Sequence, residues 1–172
     1  MIVISNSSAL INLVIIGRLD LLREKFGEII VPQAVWQEVV IEGAGKPGAK
    51  EVERANWIRV EEVTNKPLVQ LLEQKLDDGE SEAIALALEV GADLVLLDER
   101  DARDTAESLG LDILGVIGIL IWAKKKGLIL SLQDELDQLR NVAKFRFNDK
   151  LYRRALAEVG DCLLYTSPSP RD

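Results

Sequence analysis

Four residues set far apart in the chain, Asn6, Glu38, Glu80 and Asp98, are of the types that ligate hard cations or move protons. Asp98 ends the apolar run LVLL, and Asn6 stands just past the apolar run Ile2–Ile4. In open α/β sheets ligands bind beyond the carboxyl ends of strands, so Asn6 and Asp98 would face one crevice if their strands are neighbours. Glu80 precedes Ala83 and Ile84 by three and four residues, which puts a carboxylate on an apolar helical stripe. Glu38 lies beside Val35 and Val39 at the edge of another such stripe. Each has a plainer reading taken alone: Asn and Asp cap helices, an acid-rich first turn suits the helix dipole, and Glu38 is an ordinary solvated acid. Together they share a place near strand ends or early in the succeeding helices. Two like charges at about 4 Å repel by about 4 kcal/mol at an effective dielectric of 20. Converging carboxylates therefore shift their pKa values or recruit a cation.

Composition narrows the choice of cation. The chain has no histidine and one cysteine, Cys162. That removes Ser-His and Cys-His nucleophiles, imidazole metal sites and cysteine-rich zinc sites. What remains is carboxylate, hydroxyl, amide, Lys and Arg, a donor set that suits Mg²⁺ or Mn²⁺. Such a pocket fits attack of water on a phosphodiester. The net charge of −8 argues against broad electrostatic binding of nucleic acid, although a local basic rim is compatible with it.

The elements that must position these groups alternate. Short apolar runs (Ile2–Ser5, EIIVP, WIRVEE, ADLVLLDE, LDILG) read as strands, and segments of helical period fall between them. QAVWQEVVIE is expected as a helix with Pro32 at or near its first turn. DDGESEAIALALEVG is the strongest helical segment, closed by Gly91. DARDTAESLG, closed by Gly110, and VIGILIWAKKKG, ended by Gly127, are further helices, and the remainder to about Val159 reads as two more. The pattern predicts an α/β fold with a mostly parallel sheet of about five strands covered on both faces. At 172 residues, one domain over 1–159 is expected. The last stretch, 160–172, has a Ser/Pro run and reads as a loose tail, resembling a translated sequencing adaptor more than a protein element. The start lacks the basic segment of a signal peptide and no run is long enough to span a bilayer, so a cytoplasmic protein is expected. GAGKPG (Gly43–Gly48) matches a dinucleotide fingerprint in letters only. It comes after a helix and contains Pro47, so a loop is the better reading.

At this point the residues resemble a family. VISNSSALINL, GRLDLLREKFGEIIVPQAVWQEV, DDGESEAIALALEVGADLVLLDERDAR and LGLDILGVIGILIWAKKKGLI, in this order and spacing, are similar to the PIN-domain ribonucleases, in particular the prokaryotic VapC-like toxin group and a subgroup with a GExEAI motif. The resemblance runs to about Leu151. It implies a three-layer α/β/α fold and an acidic cluster that binds Mg²⁺ or Mn²⁺ for RNA cleavage. On its motif Asn6 matches the first acidic position, Glu38 the second, Glu80 the third and Asp98 the fourth. Ser7 matches a small hydroxyl that assists the first acid, and Glu82 belongs to GESEAI. In many relatives a further acid stands two residues after the fourth. Here Arg100 occupies that place and Asp101 comes one later. Arg100, Arg103 and Lys46 are candidates for an RNA-binding rim. Lys124–Lys126 reads better as a helix C-terminus, and Arg103 also reads as a tie to local acids.

The leading expectation is a metal-dependent endoribonuclease, the toxin of a toxin–antitoxin pair, acting as a homodimer with a cognate antitoxin protein. The departure at Asn6, an amide where relatives often carry an acid, supports a second reading: a non-catalytic scaffold that binds protein. A phosphatase with an aspartyl nucleophile at the first strand end ranks last, because Asn6 cannot serve.

Overall fold

The computed structural model describes residues 1–161, in two compact units, Met1–Val116 and a second that starts at Ile117. From Cys162 on, the tail expected over 160–172 lies outside the described residues.

The first unit is organised by five short strands: β1 (Val3–Ser5), β2 (Ile29–Pro32), β3 (Ile58–Glu61), β4 (Leu94–Leu96) and β5 (Ile113–Leu114). All neighbours are parallel and the order is β3-β2-β1-β4-β5. Consecutive residues of β1 and β2 are buried throughout, so both faces of the sheet centre are covered. The expected parallel α/β sheet is therefore present. β1 and β4 are neighbours, with Ser5 paired to Leu96.

Helices fill the crossovers: α1 (Ser7–Ile15), α2 (Asp20–Phe26), α3 (Gln33–Trp36), α4 (Ala49–Arg54), α5 (Lys66–Leu72), α6 (Asp78–Val90) and α7 (Arg100–Ser108). α6 lies against β1, β2 and β4. Its run Ala83–Ala87 is buried at every position. Ile4, Ile30 and Val95 of the sheet and Leu97 just past β4 join it in one apolar cluster with Ala102 and Ala106 of α7. α6 is bounded by local chemistry. The Asp77 carboxylate accepts from Glu80 N–H (2.7 Å), and Glu80 accepts from Asp77 N–H (3.2 Å), a reciprocal cap. Gly91 then ends the helix at φ 64°.

One helix departs from expectation. QAVWQEVVIE is α-helical only to Trp36, and Gln37–Glu42 is a π-helical segment. Val35 of the α-helical part and Val39 and Val40 of the π-helical part are all buried. Gly43 closes the segment; a Cβ there would collide with the carbonyl oxygen of Val39.

The second unit contains most of α8 (Val116–Lys125), then α9 (Leu132–Asn141) and α10 (Asp149–Glu158). α9 and α10 contact each other, with Leu136, Leu139, Ala155 and Leu156 buried. The Lys124 ammonium donates to Leu130 O (2.8 Å) and Lys125 pairs with Glu158 (3.1 Å), so this cationic run secures a helix end. Among the described residues no helix is long and apolar enough to cross a membrane.

The left-handed backbone at Gly91 gives a direct test. Gly91→Ala should lower stability by about 1 kcal/mol, because a Cβ is disfavoured at this φ. Urea unfolding should show a lower midpoint with an unchanged slope.

Candidate functional site

The carboxyl ends of β1 and β4 open into a crevice of about 490 Å³. Asn6, Ser7 and Asn12 line it from α1 and its cap, Glu38 from the π-helical segment, and Asp77, Gly79 and Glu80 from the start of α6. Glu99, Arg100 and Asp101 line it from the start of α7, with Lys75 at the rim.

Asn6, Ser7 and Glu80 are polar and buried, at 3%, 6% and 7% exposure, and Ser5 and Ser81 beside them are buried too, so polar groups concentrate at this end of the sheet. The backbone N–H of Asn6 extends the sheet ladder by donating to Leu96 O (3.2 Å). Its side-chain oxygen caps α1 with long bonds from Ala9 N–H and the Ser8 hydroxyl, both 3.4 Å. Capping and a place on the crevice wall thus coexist at this residue. The Ser7 hydroxyl donates to Glu38 Oε1 at 2.8 Å and fixes a carboxylate that is otherwise exposed. Gly79 packs closely beside this pair: a Cβ there would lie 3.3 Å from Glu38 Oε1 and 3.6 Å from Ser7 Oγ.

Electrostatics tie the acids together. Burial raises the Glu80 carboxyl above its ordinary value, the hydrogen bond from Asp77 N–H opposes this, and the charges of Asp77, Glu99 and Asp101 push it further up. Glu80 therefore senses Glu99 and Asp101, consistent with all three lining one crevice.

Asp98 does not line it. Its Oδ1 accepts from Val116 N–H at 2.9 Å, which draws the side chain toward the β5 end, and its Oδ2 is buried with no partner among the described residues. Desolvation by burial pushes its pKa from the ordinary 3.8 up to about 6, against the opposing effects of the Val116 N–H and the Arg103 charge. Arg103 donates to Leu97 O (3.1 Å) beside it and is likewise outside the crevice lining. Gly115 leaves room for both, since a Cβ would lie 2.6 Å from Asp98 Oδ1 and 2.7 Å from Arg103 Nη1. The β4 contribution to the crevice shifts one residue on, to Glu99. With Glu99 in that place, an acid two residues later is present after all, as Asp101. The spacing Glu99-x-Asp101 was the available sequence signal; the end of the apolar run pointed to Asp98 instead.

Two other candidates are placed elsewhere. Glu82 accepts from Ala34 N–H (3.0 Å), satisfying a first-turn donor of α3, whose N-cap Pro32 has no side-chain acceptor. Lys46 is exposed on the turn after the π-helical segment and does not line the crevice. Of the expected basic rim only Arg100 lines it, joined by Lys75.

All donors are oxygens of hard character. Among the described residues no three carboxylates converge as a ready metal-binding group. Glu38, Glu80 and the Asn6 amide oxygen are the crevice groups that would hold a hard cation such as Mg²⁺.

A family model described as DUF3368, PIN domain, matches residues 2–161. Among solved structures the chain is similar to a PilT N-terminus domain protein from the hyperthermophilic archaeon Sulfolobus solfataricus, at 21% identity and a TM-score of 0.55, over 72% of this chain and 93% of that one. At that identity the likeness speaks for the fold. No curated protein matches the chain.

The Asp98 carboxyl makes stability depend on pH. Its folded pKa, about 6, lies above the ordinary 3.8, so the folded state holds the proton more tightly. Its contribution is full below about pH 4 and is lost as pH rises through 6. Asp98→Asn mimics the protonated form and should stabilise the protein at pH 8 by about 1–2 kcal/mol, the difference vanishing by pH 4. Thermal unfolding across pH 4–8 measures this; an equal or larger gain at pH 4 would contradict the assignment.

Proposed function

The chain belongs to the DUF3368 family of PIN domains, and on that premise we propose that it is a metal-dependent endoribonuclease whose crevice is centred on Glu38 and Glu80. PIN domains are generally nucleases and generally use divalent metal ions. The observation that carries the reading is the Ser7–Glu38 hydrogen bond beside buried Glu80, at the carboxyl end of the central strand. The serine fixes one carboxylate of the same crevice that Glu80 lines.

Glu38 and Glu80 would hold the ion, and the Asn6 amide would add a neutral oxygen donor or face the phosphate. When bound, a divalent ion supplies Lewis-acid activation of water and of the phosphoryl oxygen. Ser7 keeps Glu38 in one rotamer. Glu99 and Asp101 place further negative charge on the α7 side, which favours a cation over a bare crevice. Arg100 and Lys75 would receive the phosphates of an RNA strand at the rim. A toxin role, a cognate antitoxin and a homodimer are part of this proposal, as the VapC-like resemblance suggests.

One observation favours the second reading, a protein-binding scaffold. The Asn6 oxygen is already engaged in capping α1, and Asn6 brings no charge. Calorimetric titration with Mn²⁺ separates the two: no binding at millimolar metal would favour the scaffold.

RNA cleavage with Mn²⁺ or Mg²⁺ tests the leading reading. Glu38→Gln and Glu80→Gln should each reduce cleavage more than about a hundredfold, and Ser7→Ala by about ten- to a hundredfold, as a residue acting through Glu38. Glu99→Gln should cost more activity than Asp98→Asn. The reverse order would return the β4 role to Asp98.

A further inference from the structure

The chain is acidic overall, yet residues 140–154 carry six cations (Arg140, Lys144, Arg146, Lys150, Arg153, Arg154) against the single anion Asp149. Three aromatic side chains, Phe145, Phe147 and Tyr152, fall in the same stretch. The chain leaves α9 through Lys144 in the left-handed conformation (φ 61°), unusual for a lysine, and Phe145 N–H donates to Leu139 O at 3.0 Å. The connection to α10 is thereby held and not free. Along it exposed cations alternate with half-buried rings: Lys144, Phe145, Arg146, Phe147. The Arg140 guanidinium lies 4.4 Å from the Phe147 ring centre and 4.9 Å from that of Tyr152, while donating to Phe147 O at 3.1 Å. Phe147 and Tyr152 are within 13° of parallel. A cavity of about 420 Å³ is lined by Arg140, Lys144, Phe145, Arg146 and Phe147. Arg140 is paired with Asp149 at 3.4 Å. Among the described residues no ion pair engages Lys144, Arg146, Arg153 or Arg154.

We propose that this face of the second unit is a platform for single-stranded RNA, with phosphates on Lys144 and Arg146 and a base stacked against Phe145 or Phe147. The choice of RNA rests on the ribonuclease reading; the platform chemistry rests on the cations and rings. An acidic peptide would use the cations and leave the rings idle, whereas a nucleotide strand uses both, a planar base on the ring and a phosphate on the neighbouring charge. A duplex hides its base faces and cannot stack in this way.

Fluorescence anisotropy of the full chain with a short labelled single-stranded RNA, in EDTA so that no cleavage occurs, tests the platform. Lys144→Ala/Arg146→Ala should weaken binding about tenfold and flatten the log–log salt dependence by about 1.4, two phosphate contacts at about 0.7 each. Phe145→Ala, with its fold checked by thermal unfolding, should weaken binding at least about fivefold with the salt slope unchanged. Unaltered affinity and slope in the double variant would overturn the proposal, as would equal binding of duplex RNA or displacement of RNA by polyglutamate as effectively as by unlabelled RNA. Cleavage with Mn²⁺ but no RNA binding that depends on Lys144 and Arg146 removes the platform and leaves the nuclease. Platform-dependent binding without cleavage does the opposite.

Discussion

The crevice depends on β1 running between two parallel neighbours. β1 is three residues long, and its ladder reaches one residue further through Asn6 N–H and Leu96 O. Because β2 and β4 run the same way, α1, α3 and α7 all start at the same end of the sheet. α6 begins there too, with Glu80 in its first turn. Glu80, Glu99 and Asp101 thus sit at helix N-termini, where backbone N–H groups and the helix dipole favour negative charge, each by roughly 0.3–1 kcal/mol at an exposed end. That partly offsets the mutual repulsion of the carboxylates. It is also why the capping role and the site role of Asn6 or Glu80 are not rivals.

The fold could be read from apolar patterning because a doubly covered parallel sheet leaves short continuous apolar runs, and helix caps such as Asp77 and Gly91 are local signals. The crevice floor was equally accessible: Asn6, Ser7, Glu38 and Glu80 stand out by their positions relative to those runs, and the structure brings them together. The β4 side was not. Whether Asp98 or Glu99 faces the crevice is decided by a hydrogen bond to Val116, 18 residues away, and by the missing side chain at Gly115. Neither partner is marked in the local sequence. Glu82 escaped for a similar reason, since its partner at Ala34 lies on a different helix. The π-helical turn also has no clear local marker, because Gln37–Glu42 contains no residue that forbids an α-helix.

Charge is divided unevenly between the two units. The acids that line the crevice belong to the first, and the dense cationic stretch 140–154 belongs to the second. A net charge of −8 conceals this division. For a polyanionic ligand the average matters less than where within about a Debye length, roughly 8 Å at physiological salt, the cations are concentrated.

The π-helical segment has a consequence for how this site can vary. A π turn carries one more residue than an α turn over the same rise, so the direction in which Glu38 points is encoded by chain length as much as by residue type. Conservative exchanges at Val39 or Val40 would leave that direction alone. Loss of one codon within 37–42 would restore ordinary helical winding, leave the turns on either side in phase, and redirect the side chains within the turn itself, Glu38 among them. Homologous sites built on this turn should therefore tolerate substitution more readily than single-residue insertions or deletions. The natural unit of variation here is the length of the turn.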